Sequence, residues 1–134
     1  MGYEDGVGLM KKIVSFDFDD TLLQWLPCQD MGTVAGGPNL EMVARLKELF
    51  EQGCSVLVVS TRSTLAGMSE FIEAHSLPVE GIALTEGKLK ADTLQRLGVT
   101  LHHDDDPLEI AALPPSIEGV LVPAHPSWDG FKFE

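Results

Sequence analysis

Cations are scarce in this sequence. Nine Lys and Arg stand against 21 Asp and Glu in 134 residues, a net charge of −12. Binding to nucleic acid or to an anionic membrane draws on Lys and Arg, so this balance argues against both as partners. A phosphorylated substrate stays open, provided a metal ion or a few local cations offset the field. Cysteine is scarce too. Cys28 and Cys54 stand alone in no metal or redox spacing and read as two reduced thiols partly in the core. No run of ~18 apolar residues offers a transmembrane helix. The opening MGYEDGVGLM lacks the basic start and long apolar stretch of a secretory signal. Gly6 stands where a myristoylation signal needs Ser or Thr, so the simplest address is the cytoplasm. Without an internal repeat, low-complexity tract or interdomain linker, residues 1–134 read as one domain. Its core is expected at about 12–122, with extensions at 1–10 and 123–134.

What is present is an alternation of strand and helix signals. Short apolar runs at 13–18 (IVSFDF), 55–60 (SVLVVS), 81–84 (GIAL), 99–103 (VTLHH) and 119–122 (GVLV) read as strands. Between them, 38–53, 64–76, 90–98 and 106–113 read as helices. In the first of these Leu40, Val43, Leu46, Leu49 and Phe50 share one face, with Asn39 as N-cap and Gly53 as stop. Leu94 and Leu97 point inward from the third, which ends at Gly98. Asp106 caps the fourth ahead of Pro107. Repetition of strand and helix argues an α/β fold of three layers, a parallel sheet of about five strands with helices on both faces. One long irregular stretch remains at 24–37, and loops of that length are often functional.

The polar residues gather at the ends of the expected strands. The first strand runs into Asp17, Asp19 and Asp20, the second into Ser60, Thr61 and Arg62, the fourth into Asp104, Asp105 and Asp106. Lys88 and Lys90 precede or open the third helix. In an open parallel sheet the carboxyl ends of the strands lie along one edge, where ligands bind. These residues should therefore converge. Two unit charges ~4 Å apart repel by roughly 4 kcal/mol at an effective dielectric near ~20. Either some carboxylates are protonated or a cation sits among them. Oxygen ligands with few neighbouring His and no Cys favour Mg²⁺. The chemistry suggested is phosphoryl transfer, which needs a metal, a cation and a positioned nucleophile. A carboxylate can be that nucleophile.

FDFDDTLL resembles the first motif of the haloacid dehalogenase (HAD) superfamily of phosphohydrolases, a hydrophobic strand followed by Asp-x-Asp-x-Thr-Leu. Asp17, Asp19, Thr21 and Leu22 fill it. VLVVSTR is similar to the second motif, and KADTLQRLGVTLHHDDDP to the third and fourth. The resemblance spans residues 12 to about 122 and implies a Rossmann-like, HAD-like fold. It also implies a Mg²⁺-dependent phosphatase. Asp17 would be the nucleophile that forms an aspartyl-phosphate, and Asp19 the general acid and then base. Ser60 would bind a phosphoryl oxygen and Lys90 would neutralise charge. Thr21, Thr61 and Arg62 join the phosphate-binding residues, and Asp17, Asp19, Asp104 and Asp105 the metal ligands. Thr61 could replace Ser60, Lys88 could replace Lys90, and the fourth motif could start at Asp105 with Glu109 four residues on. Asp20 occupies a position often Gly in the superfamily and is expected to stay away from phosphate.

Other side chains carry plainer readings. His102 and His103 read as strand residues, one facing the core and one the surface. For Trp25, gating the site and local packing are both open. His125 and Trp128 carry no assignable chemistry. Larger HAD proteins carry a cap domain, for which the intervals here leave no room, so the resemblance implies a capless member whose open site admits a bulky phosphorylated substrate. The spacing of the last two motifs is similar to that of the phosphatase halves of polynucleotide kinase-phosphatases, while the acidic balance argues against tight nucleic-acid binding. Two other classes compete. A phospho-accepting receiver domain uses the same residue types, but in the order acidic pair, acceptor Asp, Ser/Thr, Lys. A HAD-fold binding module without activity would lack a key residue type, and all are present here.

Overall fold

Strands that are apolar at successive positions need cover on both faces. The computed structural model, which describes residues 11–28 and 32–126, supplies it. The amino-terminal extension at 1–10, Trp128 with most of the carboxyl-terminal tail, and residues 29–31 of the stretch expected to be irregular lie outside the described residues. Strands β1 (Ile13–Phe16), β4 (Ser55–Ser60), β5 (Gly81–Leu84), β6 (Val99–Asp104) and β7 (Glu118–Leu121) form one parallel sheet in the order β5-β4-β1-β6-β7. Helices α1 (Leu40–Glu51), α2 (Met68–Ala74), α3 (Ala91–Leu97) and α4 (Pro107–Ala111) connect them.

Alternate residues of the same strand enter two separate cores. Val14, Phe16, Val56 and Val58 pack with Met42, Leu46 and Leu49 of α1 and Met68 of α2. Ile13, Leu57 and Val59 pack with Leu94 of α3, Ile117 and Leu113. The result is the three-layer α/β, Rossmann-like arrangement expected from the alternation of signals. No helix among the described residues is long and apolar enough to cross a membrane.

The caps behave as their chemistry requires. Asn39 Oδ1 accepts from Met42 N at 3.3 Å, and Asp106 Oδ1 accepts from Leu108 N at 2.9 Å, with Pro107 at the first helical position where no N–H is needed. Gly98 closes α3 at φ 77°, a conformation that costs other residues strain.

Several packing details differ from the sequence reading. In α1 the buried stripe is Met42, Leu46 and Leu49, while Leu40 is 74% exposed and Phe50 43%. At ~100° per residue Leu40 sits roughly 120° from Leu46, off the core face. Leu97, the last residue of α3, is 39% exposed, because the helix ends there at the rim of the sheet. His102 and His103 are both buried, at 0% and 1% exposure. They point to opposite faces, but β6 is an interior strand covered on both.

The described residues of the stretch at 24–37 are not irregular. Strands β2 (Leu23–Cys28) and β3 (Gly32–Pro38) pair antiparallel as a separate hairpin. Pro27, Gly36 and Gly37 mask its strand signal. Gly36 is required by packing, since a Cβ there would meet the Leu26 side chain across the ladder.

Candidate active site

Asp17 directly follows β1, Ser60 ends β4 and Asp104 ends β6, so the three stand along the carboxyl edge of adjacent strands. Asp17 is held in line by its N–H, which donates to His103 O at 2.9 Å. The chain then curls. Thr21 N and Leu22 N both donate to Phe18 O, at 3.3 and 2.9 Å. That turn carries Thr21 back beneath the site, where its hydroxyl lies 3.2 Å from Asp17 Oδ2 and 3.4 Å from Asp105 Oδ1.

Lys90 stands at the N-cap of α3 and is buried. Its Nζ donates to Asp17 Oδ1 at 2.8 Å and to Asp104 Oδ2 at 2.6 Å. Its backbone N–H donates to Glu109 Oε1 at 2.9 Å, which fixes the start of the helix from α4. Lys88, the alternative, is exposed and outside this cluster. Asp17, Asp104 and Asp105 each offer a carboxylate oxygen, and these lie within 4.8 Å of one another.

One ammonium among three carboxylates leaves the charge unbalanced. Burial pushes the Asp17 carboxyl up to about 8, aided by the Asp104 charge, although Lys90 opposes it. Asp105 is also raised, by burial first, against a hydrogen bond from Asp17. Burial acts the same way on Asp104, but the His102 hydrogen bond and Lys90 outweigh it and hold that carboxyl below the usual range. Lys90 resists burial because Asp17 and Asp104 flank it, and it stays protonated more firmly than a free lysine. A buried, all-oxygen donor set with surplus negative charge fits a hard divalent cation.

Asp19 is placed differently. Arg62 Nε and Nη2 grip its two oxygens at 2.8 and 2.7 Å, and Trp25 Nε1 donates to Oδ1 at 2.8 Å. Burial would raise this carboxyl, but these bonds outweigh it and hold it low. Expected as a metal ligand, the Asp19 carboxylate does not join the group formed by Asp17, Asp104 and Asp105, because Arg62 and Trp25 occupy its oxygens. Arg62, expected among the phosphate-binding residues, is committed to Asp19 and to Ala66 O, the latter at 2.9 Å, and stacks over the Phe18 ring 5.0 Å from its centroid.

A cavity of about 380 Å³ opens over the cluster, lined among others by Asp17, Asp19, Thr61, Lys90, Asp104 and Asp105. Thr61 lines it and Ser60 does not. Ser60 is buried beneath, its Oγ accepting from Arg62 N at 3.1 Å. A groove of about 740 Å³ between α2 and β5 is larger, but it is lined mainly by apolar residues and shares none with the acidic cavity. The titratable cluster lines the smaller one.

Some participants carried only weak signals. Asp20 adopts φ 64° and takes Trp25 N on Oδ1 at 3.0 Å, which anchors the start of the hairpin beside Asp19. Glu109 is buried at the cavity wall. Ser15 and His102 sit behind Asp104. The available hint was a polar residue inside an otherwise apolar strand, as in IVSF and TLHHD.

No protein-family model and no curated protein matches the chain. Among solved structures it is similar to a hypothetical protein from Xanthomonas campestris, at 21% identity and a TM-score of 0.51, over 97% of this chain and 79% of that one. That likeness speaks for the fold. A probable YrbI-family phosphatase from Pseudomonas syringae pv. phaseolica aligns at 19% identity and a TM-score of 0.43, over 70% of this chain and 57% of its own length. An overlap that partial carries no argument.

Proposed function

We propose that the chain is a phosphatase that hydrolyses a phosphomonoester through Asp17. The observation that carries the reading is the junction of Asp17, Lys90 and Asp104 under an open cavity at the carboxyl edge of the sheet. An Asp17 oxygen attacks phosphorus, the bond to the leaving oxygen breaks, and an aspartyl-phosphate forms. Water then attacks phosphorus, which releases phosphate and restores Asp17. Lys90 lies against the attacking carboxylate, where its charge offsets that of the phosphoryl group. Thr61 at the cavity wall and Ser60 one residue behind it are the two hydroxyl residues for a phosphoryl oxygen.

Asp17, Asp104 and Asp105 would hold Mg²⁺, which supplies positive charge that keeps Asp17 ionised and offsets that of phosphate. Asp19, gripped by Arg62, is ionised and suited to act as a base toward water. To serve first as an acid it must loosen from Arg62 and take a proton. No cap domain covers the cavity among the described residues, which supports reading the substrate as a bulky one. The test is a panel of phosphomonoesters assayed with Mg²⁺ and with EDTA, comparing wild type with Asp17→Asn. Activity with Mg²⁺ that both EDTA and Asp17→Asn abolish is expected. Turnover that survives either treatment would refute the mechanism.

A further inference from the structure

Ser15 and His102 are polar side chains deep in the sheet, where the proposed chemistry does not call for them. They are register partners on the adjoining strands β1 and β6, and both are fully buried. Ser15 Oγ lies 2.7 Å from His102 Nδ1, and His102 Nε2 lies 2.8 Å from Asp104 Oδ2. The same oxygen accepts from Lys90 Nζ at 2.6 Å. A buried polar chain costs folding free energy unless each member is satisfied. Apolar residues at 15 and 102 would fill the space without that risk.

The hydrogen positions follow from the partners. An ionised carboxylate only accepts, so the nitrogen that faces Asp104, Nε2, carries a hydrogen. Nδ1 is then left to accept from the Ser15 hydroxyl. Each carboxylate oxygen has about two lone-pair sites. On Asp104, Oδ2 is filled by Lys90 and His102. Oδ1 accepts from Asp106 N at 3.1 Å and keeps one site free.

The geometry points to His102 as a positioning residue: seated against Ser15, it fixes the Asp104 carboxylate from behind so that Oδ1 is the oxygen presented to a divalent cation. The inference rests on the proposed function only in taking Asp104 as a cation ligand. Loss of such a supporting hydrogen bond typically weakens metal affinity by about 10–100-fold.

Two measurements test this. ¹⁵N NMR of the metal-free wild type reads the His102 tautomer without reference to any metal. A hydrogen on Nε2 is expected, and an Nδ1-only hydrogen directed at Ser15 would overturn the contact. Mn²⁺ titration followed by EPR then compares wild type, His102→Leu, His102→Gln and Ser15→Ala. Affinity should fall about tenfold or more in His102→Leu. His102→Gln should recover most of it, because its amide can donate to the same oxygen, and Ser15→Ala should fall between. Equal affinity in wild type and His102→Leu, or no rescue by Gln, overturns the positioning role. If His102→Leu fails to fold, the tautomer and the other two variants still decide. A wild type that binds no Mn²⁺ overturns the cation half of the proposal and the metal reading of the site. The tautomer then shows whether the hold on Asp104 stands alone.

Discussion

Replacing Lys90 by methionine keeps an unbranched side chain one atom shorter and removes its charge. The ammonium hydrogen-bonds Asp17 at 2.8 Å and Asp104 at 2.6 Å, with all three groups almost wholly buried. At an effective dielectric near ~20, the attraction to an ionised carboxylate at such a distance is worth roughly 6 kcal/mol before desolvation is counted, and at neutral pH that carboxylate is chiefly Asp104. Much of that gain offsets the cost of burying the ions. Removing one partner of a buried pair nevertheless destabilises by about 3–5 kcal/mol, because the remaining charge is stranded. Two features place the expected cost at the lower end, about 3 kcal/mol at pH 7. Asp17 is already pushed up to about 8 by burial, so at pH 7 it is largely protonated and little charge is stranded there. Asp104 keeps its bonds from His102 and from Asp106 N. Urea denaturation of the metal-free proteins measures the difference. With 10 mM Mg²⁺ the variant should regain more stability than wild type, since a cation can take the ammonium's place. At a Kd of ~1 mM that regain is about 1.4 kcal/mol. A cost below about 1 kcal/mol would refute the charge accounting. Equal gains from Mg²⁺ in both proteins would refute the cation fit.

Three further outcomes follow from the same geometry. Asp17→Asn should cost less than Asp104→Asn in metal-free urea titrations, because Asp17 is already largely protonated at neutral pH. The sign also shows in pH: a folded value of about 8 against an ordinary 3.8 gives stability that is full below about 3.8 and lost as pH rises toward 8. Asp17→Asn should flatten that decline, and an unchanged slope would count against it. His103 is held down to about 4 from 6.5, by burial first, with only its Nδ1 partnered, at 3.0 Å from Ser15 O. Its contribution is full above about 6.5 and lost as pH falls through about 4, on the order of 3 kcal/mol. His103→Phe keeps the stack on Phe16 and should remove that acid loss; an identical acid slope would contradict the assignment. Arg62→Lys breaks the two-pronged grip on Asp19, so the Asp19 carboxyl should rise in an NMR titration. A carboxyl that stays where it is would show that Arg62 does not set it.

Much of the fold could be read in advance because its signals are local. Apolar runs gave the five parallel strands, and Asn39, Asp106 with Pro107, and Gly98 marked helix ends that the structure keeps. The hairpin could not be read, because its pairing depends on contact between 23–28 and 32–38 rather than on propensity. Gly36 looks like a strand breaker until Leu26 is seen lying over it. The site divided in the same way. That Asp17, Lys90, Asp104 and Asp105 converge follows from topology, because each stands at a strand's carboxyl end or opens the helix beside it. Whether Thr61 or Ser60 lines the cavity, and whether Arg62 faces a ligand or Asp19, depends on side-chain direction at a strand end, which spacing does not encode.

The same directions explain why fold and site cannot be altered separately here. Within eight residues, His102 bonds Ser15 of β1, Asp104 bonds Lys90 at the head of α3, Asp106 caps α4, and Glu109 accepts from the backbone of Lys90. One segment thus ties four elements together through polar groups, and its remaining lone pairs face the cavity. An apolar segment could hold the sheet as well, but it would present no oxygen at that edge. Retaining buried carboxylates against the desolvation that raises Asp17 makes physical sense if something positively charged is meant to meet them. Stability gained by neutralising Asp17 or Asp105, the two carboxyls that burial raises, should therefore appear together with weaker cation binding. A variant that is both more stable without metal and undiminished in cation affinity would break the link.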